Sequence, residues 1–171
     1  LEETETISLI DFYAFRFVCA KLKGWIDQGM QAFPVSVNFS VSSLMQPSFV
    51  EQLTSICETY GISPGYMEIE VTEKVHEAEG LDIKLLITKL HHAGFAVGID
   101  DFGTEYANLG LLSEIDFDVL KLDKSMIDNI AVNPKTKTIV ELISEVCHNL
   151  GINMVAEGIE TEEQFQELCS C

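Results

Sequence analysis

The sequence predicts an α/β protein on parallel strands, of the (β/α)8 barrel type, and three observations carry that prediction. Short apolar runs of strand character alternate with longer amphipathic stretches along the whole chain. No Pro/Gly/Ser-rich linker or low-complexity tract separates them, so residues 1–171 read as part of one domain with no internal boundary. Finally, five strand-like runs each bring a polar residue to, or close to, their C-terminal end, which is the end where barrels of this type carry their active sites.

Taken in order, Ser8 to Gln28 reads as a helix ending near Gly29, and "PVSVNFS" (34–40) follows with the period-two alternation of a strand. "YMEIEVTE" (66–73) alternates in the same way. Ile83, Leu86, Ile87 and Leu90 fall at i, i+3, i+4 and i+7, the apolar stripe of a helix packed on a sheet. "FAVGIDD" (95–101), "FDVLKLD" (117–123) and "INMVAEG" (152–158) are the remaining strands. Asn133-Pro134 marks a helix start by proline at its first position, and Thr161-x-x-Gln164 marks another by a capping box.

Strands that alternate with helices run parallel, in an open doubly wound sheet or a closed barrel. The polar residues choose the barrel. Asn38, Glu70, Asp100, Lys121 and Glu157 follow one another at intervals of 32, 30, 21 and 36 residues. Period two places Glu68 with Glu70, and Lys121 with Asp123, on one face, leaving Ile69, Val71, Leu120 and Leu122 for the helix-covered face. Asp100-Asp101 before Gly103 would be ordinary turn chemistry in isolation. As one of five such strand ends, it belongs to a site.

Composition narrows the chemistry. With 10 basic and 28 acidic residues the formal charge is −18, and Arg16 is the only arginine, which excludes nonspecific binding to nucleic-acid polymers or anionic membranes. A phosphate ligand remains admissible where bound cations invert the local charge. The five cysteines lack a paired CxxC spacing and read as thiols of a reducing compartment, with Cys169 and Cys171 the exposed ones. The four histidines show no HxxxH or HExxH arrangement and read as ordinary surface or core residues. No run reaches the length of a membrane span and no signal peptide opens the chain, so a soluble, cytoplasmic segment without membrane contact is expected. The opening leucine is not a natural start, which leaves room for a membrane-anchored parent.

Asn38, Glu70, Asp100 and Asp101 are hard oxygen ligands suited to Mg²⁺ or Mn²⁺ rather than zinc. Adjacent aspartates can serve two ions at once, Lys121 can orient a water or phosphate oxygen, and Glu157 can act as general base or second-metal ligand. The residues therefore describe a two-metal phosphoesterase-like barrel. Two shorter motif matches fail: Asp101-Phe102-Gly103 lacks the other kinase motifs, and "LGINMVAEGIE" lacks the GxGxxG order.

The ordered series "SVNFS" (36–40), "EIEVTE" (68–73), "GIDDFGT" (98–104), "LKLD" (120–123) and "VAEGIETEEQ" (155–164) resembles the EAL-domain family of bacterial cyclic-di-GMP phosphodiesterases. The resemblance implies a TIM-barrel-like fold, represented here by its middle and later part, with the first strands and the last-strand region missing. It implies that Asn38, Glu70 and Asp100 hold a first metal, that Asp100 bridges to a second bound by Asp101, and that Lys121 positions the attacking water. Glu157 would be base or further metal ligand, supported by Asp123 and Glu160, and Glu73 would hold the loop after the paired aspartates. The implied reaction opens cyclic-di-GMP to linear pGpG with Mg²⁺ or Mn²⁺ and is inhibited by Ca²⁺. A homodimer and an upstream sensory or GGDEF domain in the parent belong to the same expectation.

The chain departs from the family pattern in three places. The Glu-Ala-Leu segment, with one metal ligand and a substrate-contacting arginine, is absent, and so is the Gln-Gly-Tyr segment near the last strand. The usual "DDFGTGYSSL" is "DDFGTEYANL" here, with Glu105 in place of a glycine, in a loop that couples dimerisation to metal binding in the family. The intact parent is therefore expected to hydrolyse cyclic-di-GMP, and the 171-residue segment alone to show no meaningful turnover. The alternative is a degenerate EAL domain acting as a non-catalytic cyclic-di-GMP receptor or protein-interaction regulator.

Overall fold

The computed structural model describes residues 2–72, 75, 78–104 and 110–171. It divides into two units, Leu1–Gly98 and Ile99–Cys171, and the division falls inside a strand.

The first unit opens with α1 (Glu2–Asp27), which starts a turn and a half before the expected Ser8. Phe12, Phe15, Cys19 and Leu22 recur at three- to four-residue intervals and are all buried. After β1 (Val35–Asn38) come α2 (Val41–Leu44) and α3 (Phe49–Tyr60), the latter ended by Gly61 in the left-handed conformation (φ 65°). A 3₁₀ turn (Pro64–Tyr66) leads into β2 (Met67–Thr72), which pairs parallel to β1 with Asn38 opposite Glu70. Then α4 (Ile83–Ala93) buries the predicted Ile83, Leu86, Ile87 and Leu90, capped at its start by Asp82 accepting from the Leu85 N–H at 3.0 Å.

Phe39, just past β1, ties these helices to the sheet. Its ring centroid lies 5.9 Å from Phe12, 5.9 Å from Phe15 and 5.0 Å from Phe49, and Phe15 reaches Phe95 at 6.2 Å. Each buried aromatic side chain contributes about 1.5–3 kcal/mol by burial alone. This cluster fixes the end of β1, the point from which Asn38 projects on the opposite side.

β3 (Ala96–Phe102) runs from the first unit into the second; the strand order is β1-β2-β3 in the first and β3-β4-β5 in the second. The second unit continues with α5 (Gly110–Glu114), β4 (Val119–Leu122), α6 (Lys124–Ile127), α7 (Pro134–Leu150), β5 (Asn153–Ala156) and α8 (Glu162–Cys169). β4 and β5 pair parallel, Lys121 opposite Val155. α7 starts where Asn133-Pro134 predicts, with the Asn133 side chain accepting from Lys135 N–H at 3.0 Å, and it buries Val140, Ile143 and Cys147. α8 carries the predicted capping box between Thr161 and Gln164. Ile69, Val71, Leu120 and Leu122 are buried, as the alternation requires.

The parallel α/β class is thus borne out. Cys19, Cys57 and Cys147 are buried free thiols, while Cys169 is exposed and Cys171 partly so, as expected of the two C-terminal ones. Among the described residues no helix is long and apolar enough to cross a membrane.

Candidate active site

In the first unit, the parallel register that sets Asn38 opposite Glu70 brings their side chains together, and Asn38 Nδ2 donates to Glu70 Oε2 at 3.1 Å. The ladder continues one residue further, with Phe39 N–H donating to the Glu70 carbonyl at 3.0 Å, so the pair is held by backbone on both sides. Glu70 is only 3% exposed. A carboxylate removed from water costs several kcal/mol unless hydrogen-bonded or matched by positive charge, and the Asn38 amide is part of that compensation. Gly98 leaves the space these carboxylates occupy: a Cβ there would meet Glu68 Oε1 at 2.9 Å and Glu70 Cγ at 3.5 Å.

In the second unit, Asp100 and Asp101 lie near the end of β3 and Lys121 near the end of β4. The Lys121 ammonium lies 3.1 Å from Asp100 Oδ1 and 2.6 Å from Glu157 Oε1. Glu157 is placed by its own N–H, which donates to the Leu122 carbonyl at 3.1 Å and carries the β4–β5 ladder past the strand end. Asp101 has φ 58°, the only non-glycine residue with positive φ among the described residues. Left-handed backbone at a non-glycine residue costs free energy and collects at functional sites. Its N–H bonds back to Asp100 Oδ1 at 3.0 Å.

The Asp101 carboxyl is held above the ordinary aspartate range, first by desolvation and then by the charges of Asp100, Asp123 and Glu157, with Lys121 opposing. Like charges crowded in this way are the electrostatic counterpart of a cation site. The donors are hard oxygens throughout, which fits Mg²⁺, Mn²⁺ or Ca²⁺. Among the described residues no three His, Cys, Asp or Glu side chains form a ready metal cluster. The asparagine and lysine among these strand ends are consistent with that.

The supporting residues separate. Asp123 caps α6, accepting from Ser125 N–H at 2.8 Å, and its carboxyl is held below the usual range chiefly by the bonds from Ser125. Glu160 pairs with Lys124 at 2.8 Å, and Lys124 also reaches Asp128 at 2.8 Å. Sequence reasoning missed Lys124. Its i,i+4 spacing to Asp128 was visible, but its packing against Gly158 was not: a Cβ at Gly158 (φ 72°) would fall 2.5 Å from Lys124 Cγ. Glu73 and Glu105 lie outside the described residues.

Each unit thus gathers polar side chains at the C-terminal ends of its parallel strands, an amide and a carboxylate in the first and carboxylates with a lysine in the second. The EAL-domain family model matches residues 1–171, and the chain belongs to that family. It is 31% identical over 140 residues to the probable cyclic di-GMP phosphodiesterase PdeG of Escherichia coli K12, covering 81% of this chain and 27% of that protein. Among solved structures it is similar to the PaMucR phosphodiesterase in complex with c-di-GMP (TM-score 0.88, 27% identity, 99% of this chain, 68% of that one). It is also similar to the manganese/cyclic-di-GMP complex of Klebsiella pneumoniae BlrP1 (TM-score 0.84, 30% identity, 98% of this chain, 41% of that one). The chain spans about a quarter of the curated relative's length.

Proposed function

We propose that the protein of which this chain is part hydrolyses cyclic-di-GMP to linear pGpG, using Mg²⁺ or Mn²⁺. The observation that carries the proposal is Lys121 held between Asp100 and Glu157, beside an Asp101 of strained backbone and raised proton affinity. Asn38 and Glu70 are the proposed metal donors of the first unit, and Asp100 and Asp101 those of the second. The metal, when bound, supplies Lewis-acid charge stabilisation and lowers the pKa of water. Lys121 positions the attacking water, and its contacts with Asp100 and Glu157 keep the side chain still. Glu157 takes the proton of the water as its oxygen–phosphorus bond forms, and the ribose oxygen that departs as the opposite ester bond breaks takes up a proton from solvent. Asp123 and Glu160 act at one remove, by fixing α6 and Lys124.

The test follows pGpG by chromatography after incubating the full-length protein with cyclic-di-GMP and Mn²⁺ or Mg²⁺. Glu157→Gln and Lys121→Met are each expected to lower kcat by about 10²-fold or more while ligand binding persists. Wild type that binds cyclic-di-GMP yet yields no more product than Glu157→Gln would replace the enzyme with a receptor.

A further inference from the structure

We infer that Asp11, on α1, is a positioning residue for the Asn38–Glu70 pair, and this rests on the metal-donor role proposed for that pair. One oxygen of Asp11 accepts three hydrogen bonds. Oδ2 receives the Ser40 N–H at 2.9 Å, the Ser40 hydroxyl at 2.6 Å and the Ser43 hydroxyl at 2.7 Å. Bonds of this kind to an ionised acceptor are about twice as strong as neutral ones. Ser40 stands at the N-cap of α2, where a serine hydroxyl would normally accept from the helix's own backbone, yet it makes no such cap bond. Its hydroxyl is committed to Asp11 instead. Ser43 is fully buried, and Ser42 extends the network, 2.9 Å from the Ser40 hydroxyl and 3.5 Å from the buried Ser8.

The placement along the chain gives this network its consequence. Ser40 is two residues beyond Asn38, and the intervening Phe39 has its ring in the α1/α3 aromatic cluster and its N–H on the Glu70 carbonyl. The Asn38 backbone is therefore clamped between the β1–β2 ladder before it and the Asp11 tether after it. A short β1 of four residues has few ladder bonds of its own with which to hold its last side chain. Asp11 supplies the missing constraint from a helix, and its loss lets the turn at Ser40 swing and the Asn38 amide leave Glu70.

Two readouts test this on the full-length protein, one of which needs no metal. The Asn38 side-chain amide, assigned by its loss in Asn38→Ala, is followed by ¹⁵N–¹H NMR in wild type, Asp11→Ala and the milder Ser40→Ala. The variants are expected to shift it toward the free-amide position and speed its hydrogen exchange, while the Asn153 amide stays put. Mn²⁺ affinity, read by EPR of the free ion, is expected to fall about tenfold in Asp11→Ala, the low end for residues that orient metal ligands. It should not fall further when Asp11→Ala is added to Asn38→Ala. Asp11→Asn, which keeps the acceptor oxygen, should recover part of the loss. An Asn38 amide unchanged in folded Asp11→Ala or Ser40→Ala overturns the inference whether or not the protein binds Mn²⁺. So does an undiminished Asp11→Ala effect in the Asn38→Ala background. Wild type that binds no Mn²⁺ overturns the metal reading, and with it Asp11's service to a metal donor, while the NMR arm still decides the positioning.

Discussion

At the scale of the residue, Asp101 concentrates the physics of the site. Its backbone is left-handed, and its carboxyl faces Asp100, Asp123 and Glu157 against the single opposing charge of Lys121. Both features are costs in the metal-free protein. Asparagine tolerates the left-handed region better than most residues and carries no charge. Asp101→Asn is therefore expected to raise the Tm measured in EDTA while abolishing most of the gain from added Mn²⁺. A lower Tm in EDTA would show that the Asp101 carboxylate makes a stabilising contact that outweighs both costs. How legible such a residue is in sequence depends on which term is asked for. The paired aspartates, and their place at a strand end, follow from residue type and period. The positive φ does not, because Asp101 precedes Phe102 rather than sitting beside the turn glycine. The Asp11 tether was equally invisible, since it joins positions 29 residues apart and no sequence periodicity links the two.

At the scale of the element, legibility tracked local chemistry. Helices with a side chain acting on their own N-terminus, Asn133 for α7 and Thr161 for α8, were found at their starts. α3 was not anticipated. Its buried Phe49, Val50, Leu53, Ile56 and Cys57 do fall at helical spacing, but its N-cap Ser48 makes no cap hydrogen bond that would mark the start. Strands were legible by alternation even where only four residues long, because the core-facing Val37, Leu120 and Leu122 are buried while Asn38 and Lys121 are not. The α8 capping box has a measurable consequence. Thr161 accepts from Gln164 N–H at 3.2 Å, and the Gln164 side chain accepts from the Thr161 and Glu160 N–H groups at 2.9 and 2.7 Å. Through Glu160 the box also anchors the segment that follows Glu157. Thr161→Ala is expected to cost about 1 kcal/mol in urea unfolding, and Gln164→Ala more, because it frees two donors at once. Equal, negligible effects of both would mean that α8 is held by packing alone.

At the scale of the whole molecule the dominant fact is charge. A formal −18 on 171 residues means that folding gathers acidic groups that the unfolded chain keeps apart, and that self-repulsion opposes the compact state. Monovalent salt screens this repulsion over about 10 Å at 0.1 M and should raise the Tm gradually with ionic strength. A divalent ion held by Asn38, Glu70, Asp100 or Asp101 acts differently, because it binds the folded state and stabilises by mass action. At a hundred times its Kd that amounts to about 2.7 kcal/mol, which for a chain of this size is a shift of several degrees. The two effects separate in one thermal series of the full-length protein: NaCl and MnCl₂ at matched ionic strength, each with wild type and Asp100→Asn. The expected result is a Tm gain from MnCl₂ well above that from NaCl in wild type, and equal gains in Asp100→Asn. Equal gains in both proteins would assign the stabilisation to screening alone and would remove Asp100 from the metal donors. A larger MnCl₂ gain that survives Asp100→Asn would instead place the bound ion on other carboxylates, and the roles of the strand-end acids would have to be reassigned.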